Sequence, residues 1–384
     1  MTHGFPAPAA VLGDTVLRSA EPRLSGRPLP LVGAARLYVC GITPYDVTHL
    51  GHAATFIWSD VAASVLRMAG VQVTVCRNVT DVDDVLTRAA GSRGRAYDEF
   101  ALYQEYLFDK DMAALRVHPP AHEPRARHHV TGVRQLAAAL LATGHAYLRD
   151  GHVYFRGAHA HVRAGLSREQ ALALADEYGD QPDDPRRDDP FDVPVWRPSV
   201  GDQPGWPSPW GTGRPGWHAE CAAMAISVLG TSIDILAGGE DLAFPHHAYQ
   251  AAMAEAATSV APFARSHLHV GTVHRDSAKM AKSTGNLTLV TDLLRDHTPA
   301  AVRLLVLNRP WHTPWEHRPT DLDHAAAYLE ALYAAAARPD AARAATNAVT
   351  AALLDNLNVP HALAIARDSG GEAARLLLRV LSLA

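Results

Sequence analysis

The segment between residues 35 and 84 restricts the fold more than any other part of the chain. "ARLYVCGIT" (35–43) is a short run of apolar and β-forming residues, ended by the turn residues "TPYD". From about Gly51 to Met68, Ala53, Phe56, Ile57, Val61, Ala62, Val65 and Leu66 recur on one face of a 3.6-residue period, and "VQVTVCRNVTDVDD" (71–84) is β-branched again. Strand, helix and strand in about fifty residues make the βαβ unit of a parallel sheet. The chain is therefore α/β, and its ligands belong beyond the carboxyl ends of the strands.

The remaining pattern is arranged around that unit. Residues 1–34, rich in Pro, Gly and Ala, read as an irregular arm. "FALYQEYLFDKDMAAL" and "VTGVRQLAAALLATG" are helical, and "AYLRDGHVYFR" is a hairpin turning at Asp150 and Gly151. A loop-heavy stretch from about 158 to 214 reads as an insertion. "SIDILAGGEDLAFPHH" (232–247) and "SHLHVGTV" (266–273) return to strand, "DSAKMAKSTGN" is a basic loop, and an Ala- and Leu-rich helical region begins near Pro299.

Composition narrows the chemistry. Three cysteines (Cys40, Cys76, Cys221) are too few for a disulfide scaffold, so a thiol beside histidines reads as a metal ligand or reactive group. A net charge of −5 gives no general affinity for nucleic acid, although a local basic groove remains compatible with it. The sequence offers no apolar run long enough to span a membrane and no basic-then-apolar leader, so the cytoplasm is the expected location.

Three constellations carry chemistry, each with a plain structural alternative. In "THLGH", His49, Gly51 and His52 stand where a strand ends and a helix begins, a place suited to phosphate, although two histidines there can also simply cap and pack. In "KMAKS", Lys279, Lys282 and Ser283 suit a loop closing on a polyphosphate, or a solvated turn; the Walker frame is absent. Cys40, Cys221 of "GWHAEC", and His246 or His247 of "FPHH" are the donor types zinc prefers, or else buried free thiols near unrelated histidines.

Taken in order, "YVCGITPYD", "HLGHA", "NVTDVDD", "PGWHAEC", "GGEDLAFPHH" and "KMAKSTGN" resemble the cysteinyl branch of class I aminoacyl-tRNA synthetases over residues 35 to 335. That branch includes enzymes that charge tRNA and ligases that join cysteine to the amine of glucosaminyl-inositol. The wording "CGITPYDVTHLGHA" is similar to the ligases. So is Gln250, where synthetases carry a fourth zinc ligand, a glutamate four residues after the histidine. After Ser283 the chain is short for a separate anticodon-reading module. Ala281 within the loop and Ala248 after His247 depart from both patterns.

The resemblance implies a Rossmann-like catalytic domain in two halves (35–96 and 191–295) around an insertion (97–190), with an arm (1–34) before it and a helical domain (296–384) after it. It implies ATP-dependent activation of L-cysteine, with Mg²⁺ accompanying ATP. His49, Gly51, His52, Lys279, Lys282 and Ser283 would bind ATP, and His49, His52, Lys279 and Lys282 would be catalytic. Thr43, Thr80, Trp217 and Asp241 would bind cysteine. Cys40, Cys221 and His246 would hold one Zn²⁺ whose fourth position takes the substrate thiolate. Cysteine would then pass to an amino-sugar, the alternatives being tRNA, another amine, or an idle paralogue. A monomer or homodimer is expected. Cys76 reads as core, and Asp81, Asp83 and Asp84 are expected to point to different faces rather than form a metal site.

Overall fold

The computed structural model describes residues 21–384 except 46, 179, 202, 281–284 and 341. The arm is thus described only from residue 21. There Arg23–Leu24 and Arg27–Pro28 form a two-stranded antiparallel ribbon. Leu24 and Leu29 are buried and Ser25 Oγ donates to the His267 carbonyl at 2.5 Å, so this part is pinned to the body by apolar anchors instead of draping freely.

The βαβ unit consists of β1 (Ala34–Ile42), α1 (Leu50–Met68) and β2 (Gln72–Val79), followed by α2 (Asp84–Ser92) and α3 (Tyr97–Ala114). Helix α1 buries the face read from the sequence, including Ala53, Phe56, Ile57, Val61 and Val65. Each fully buried Phe or Ile there contributes about 1.5–3 kcal/mol. The helix stops where Gly70 takes φ +82°, a conformation a side chain resists.

The insertion begins with α4 (Val130–Ala142), then β3 (Ala146–Arg149) and β4 (His152–Phe155). Positive φ at both Asp150 and Gly151 gives the tight turn that suits the strand twist. Strands β5 (Val193–Pro198) and β6 (Gly213–Pro215) extend this into one antiparallel sheet in the order β3-β4-β5-β6. The insertion's sheet therefore continues past residue 190 to Pro215. Its core holds Val153, Phe155, Phe191, Val195 and Trp196. Between the strands, Arg168–Glu177 is a helix started by a Ser167/Gln170 capping box.

The chain then returns through α5 (Trp217–Leu229), β7 (Ile233–Gly239), α6 (Ala248–Thr258) and β8 (Ala264–Val270). The main sheet has the order β8-β7-β1-β2 with every pair parallel, so the fold is α/β with a parallel sheet. At its exit β1 bulges between Val39 and Ile42. Gly41 permits this, because a Cβ there would lie 1.8 Å from the Asn78 carbonyl oxygen.

Helices α7 (Pro299–Leu307), α8 (Thr320–Ala336), α9 (Arg343–Leu354), α10 (Val359–Ser369) and α11 (Gly371–Val380) close the chain. They share one continuous apolar core with α1 and the sheet. Arg303 stitches the joint: wholly buried, it donates to Asp60 Oδ2 (2.8 Å) on α1, to the Leu381 carbonyl (2.8 Å), and to the Leu115 carbonyl (3.0 Å). Among the described residues no helix is long and apolar enough to cross a membrane.

Candidate active site

Strand β1 lies between β2 and β7, so the crevice at the carboxyl ends of β1 and β7 is the point where the chain connections part to either side. A cavity of about 390 Å³ opens there. It is lined by Cys40, Thr43, His49, Gly51, His52, Thr80, Trp217, Cys221, Asp241, His246 and Lys279, that is, by every candidate residue the structure describes. Lys282 and Ser283 lie outside the described residues.

The cavity floor is built from three elements. Cys40 comes from the end of β1, Cys221 from the first turns of α5, and His246 from the wide turn Ala243–His247 after β7. Phe244 is extended inside that turn (φ −140°, ψ 137°), which re-aims the two following histidines. All three candidate ligands are buried, with their donor atoms within 4.8 Å of one another. Metal–donor distances of about 2.0–2.3 Å in a tetrahedral site set donors roughly 3.5 Å apart, so two sulfurs and one imidazole fit a zinc ion with one position left open. In the protein alone, burial pushes the Cys40 thiol well up. The hydrogen bond from Cys40, with His246 beside it, pulls Cys221 well down.

Other buried groups orient these ligands. His246 Nδ1 lies 3.0 Å from His218 Nδ1, which leaves Nε2 of His246 for an ion. His247 places Nε2 3.1 Å from Cys40 Sγ and Nδ1 2.8 Å from His269 Nε2, so it backs the trio without joining it. Burial drives both His218 and His247 well below the usual imidazole range, which keeps them neutral. Gln250 is fully buried, with Oε1 3.7 Å from Cys40 Sγ and Nε2 donating to the Cys221 carbonyl at 3.4 Å. The Trp217 ring stacks on His246 with 4.2 Å between centroids and forms a wall above the floor.

The rim is built differently. His49 caps α1: its Nδ1 accepts the Gly51 N–H at 3.1 Å, so its proton sits on Nε2. Gly51 keeps that ring seated, since a Cβ there would come within 2.9 Å of it. His52 stacks on His49 at 3.8 Å. Burial, then His52 and Lys279, lower the His49 pKa to about 3, so it is a neutral donor at physiological pH. Lys279 ends a two-residue strand and donates to Asp241 Oδ2 at 2.8 Å, with the Tyr178 ring 5.5 Å from its ammonium. Burial opposes its charge, but Asp241 more than offsets this and the Lys279 pKa is raised.

Thr80 Oγ1 accepts from Asn78 Nδ2 at 2.9 Å, which leaves its own proton to donate. Asn78 Oδ1 also accepts the Gly41 N–H at 3.0 Å, so one amide fixes both the bulge and Thr80. The three aspartates part company as their spacing requires. Asp81 accepts from Arg127, Asp83 caps α2 by accepting from Val85 N, and Asp84 pairs with Arg214. Cys76 is core.

Asn78, His218, His269 and Tyr178 escaped the sequence reading. For His269 a signal existed, because "HLH" on a strand puts His267 and His269 on one face. Tyr178 carried none, since it reaches Lys279 from the far side of the insertion.

The family described as tRNA synthetases class I (C) catalytic domain matches residues 31–327. The chain is 43% identical over 349 residues to an L-cysteine:1D-myo-inositol 2-amino-2-deoxy-alpha-D-glucopyranoside ligase of Mycolicibacterium vanbaalenii, covering 88% of this chain and 81% of that one. It is 42% identical over 378 residues to a protein of the same name from Salinispora tropica, covering 92% and 93%. Among solved structures, Mycobacterium tuberculosis methionyl-tRNA synthetase in complex with methionyl-adenylate shares the fold, with a TM-score of 0.65, 15% identity, and 91% and 88% of the two chains covered. The chain belongs to the class I (C) tRNA synthetase family, on the branch occupied by these cysteine ligases.

Proposed function

We propose that this chain is a cytoplasmic ATP-dependent ligase that activates L-cysteine as its adenylate and passes it to the amine of glucosaminyl-inositol. The observation that carries the reading is the meeting, in one cavity, of a Cys40/Cys221/His246 floor with a His49/His52/Lys279 rim. Cys40, Cys221 and His246 would hold Zn²⁺, which when bound supplies a soft partner for the thiolate of substrate cysteine and so rejects serine.

ATP enters with Mg²⁺. In the first step a carboxylate oxygen of cysteine attacks the α-phosphorus, the bond to the bridging oxygen breaks, and pyrophosphate leaves with that electron pair. His49 Nε2–H and the His52 imidazole donate to the phosphate oxygens, while Lys279 and Lys282 neutralise the leaving group and Ser283 adds a hydroxyl. Thr43 and Thr80 hold the amino acid's polar end, Trp217 shuts water from the sulfur, and Asp241 balances positive charge between the substrate ammonium and Lys279. In the second step the neutral acceptor amine attacks the carbonyl carbon, the carbonyl–oxygen bond to AMP breaks, and one amine proton passes to water.

The test is cysteine-dependent exchange of labelled pyrophosphate into ATP, followed by addition of glucosaminyl-inositol or tRNA. Exchange together with amide formation supports the reading. Robust tRNA charging without amide would overturn it.

A further inference from the structure

The first cavity already has to hold a nucleotide and an amino acid. A second, of about 530 Å³, opens on the other side of the β2 exit, lined by Asp81, Thr87, Tyr97, Asp98, Arg127, His128 and Trp206. Consecutive residues line the two: Thr80 lines the first and Asp81 the second. Consecutive Cα atoms are about 3.8 Å apart, so a molecule seated in the second cavity is within a short reach of the first.

Its chemistry is that of a polyol site. Trp206 offers an aromatic face for the C–H side of a sugar ring, and the Tyr97 ring beside it is faced by the Arg127 guanidinium at 5.7 Å. Trp206 is held in place by paired backbone hydrogen bonds with Gly213 (2.7 and 3.0 Å). Around this face stand an acceptor (Asp98) and groups able both to donate and to accept (Thr87, His128), the mixture hydroxyl groups require. Arg127 is already committed. Its backbone N–H donates to Asp81 Oδ1 at 2.9 Å, its Nε donates to Asp81 Oδ2 at 2.5 Å, and its terminal nitrogen lies 2.7 Å from Asp98 Oδ1. Two carboxylates facing one guanidinium suit a hydroxyl-rich cation and disfavour the phosphates an RNA end would bring.

We infer that this second cavity seats the polyol part of the acceptor, with the amine reaching over Thr80 to the adenylate carbonyl. The inference rests on the amino-sugar reading above. Activation needs no acceptor, so the two half-reactions separate the roles.

Asp98→Ala, His128→Ala and Trp206→Ala in the full chain are expected to exchange pyrophosphate within about twofold of the parent. Their KM for glucosaminyl-inositol should rise tenfold or more. Trp206→Phe, which keeps an aromatic face, is expected to stay within threefold of the parent KM and so excludes a folding defect. An unchanged acceptor KM in all three alanine variants, or an equal fall in exchange and transfer, would overturn the seat. A parent protein that exchanges pyrophosphate yet forms no amide with the amino-sugar would instead overturn the amino-sugar reading itself.

Discussion

The floor and the rim of the first cavity are built on opposite plans. At the floor, Cys40, Cys221, His246, His247 and Gln250 come from four elements, are at most 5% exposed, and are tied by buried hydrogen bonds among themselves and to His218. At the rim, Lys279 stands on a two-residue strand with a side chain 36% exposed, and is held by an ion pair and a ring from two other segments. On the proposed reading the floor tells sulfur from oxygen and gains from rigidity, because selectivity depends on fixed donors. On the same reading the rim admits and releases a polyphosphate, and gains from charges that water can reach. If this division is right, damage to the floor should change which amino acid is used, and damage to the rim should change only how fast.

The largest effect is expected from Cys221→Ala. Stoichiometric zinc, measured on the purified protein by elemental analysis, should be lost, and the preference for cysteine over serine should fall by about 10³–10⁴-fold in pyrophosphate exchange. Lys279→Ala should slow exchange by roughly 10²–10³-fold while zinc content and serine rejection hold. A Lys279→Ala protein that accepted serine would dissolve the distinction between floor and rim.

Arg303→Met sharpens the comparison from outside the site. It leaves buried Asp60 with His118 alone (2.7 Å) and strips the Leu115 and Leu381 carbonyls of their donor, which should cost about 3 kcal/mol in urea unfolding while KM values in the folded protein stay put. A matching loss of zinc would mean that the helical bundle props the floor.

His49 supplies a pH test of the rim. Its pKa falls from 6.5 to about 3 on folding. Between those values the unfolded chain takes up a proton the native state refuses, so stability is full above about pH 6.5 and declines as pH drops toward 3. Replacing His49 with Gln should flatten that acid decline in denaturant titrations at pH 7 and pH 5. The smallest effect belongs to Gln250→Ala, which should keep one zinc per chain and stay within about threefold of parent activity. Loss of zinc there would make Gln250 part of the shell.

The legible parts of the sequence were those governed by short-range periodicity. The apolar spacing of α1, the β-branched runs of β1 and β2, and the Asp150–Gly151 turn each state their structure locally; the first two dictate the parallel sheet and the turn the antiparallel hairpin of the insertion. Strands β5 and β6 were hidden because Pro194, Pro198 and Pro215 make them read as loop; they form because the hairpin supplies a partner edge. Within the site, motif residues at strand ends were visible because the crevice of a parallel sheet gathers strand ends. Asn78, His218 and Tyr178 were not, since their work depends on neighbours 28 to about a hundred residues away, which spacing alone does not encode.

The account depends most on sulfur meeting a metal at the cavity floor. X-ray absorption at the zinc edge of the purified protein, recorded with and without L-cysteine, addresses this directly. The expected spectrum has two sulfur scatterers and one imidazole in the free protein and three sulfurs once cysteine is added, with no such change on adding serine. A first coordination sphere that keeps two sulfurs in saturating cysteine while pyrophosphate exchange proceeds would contradict it.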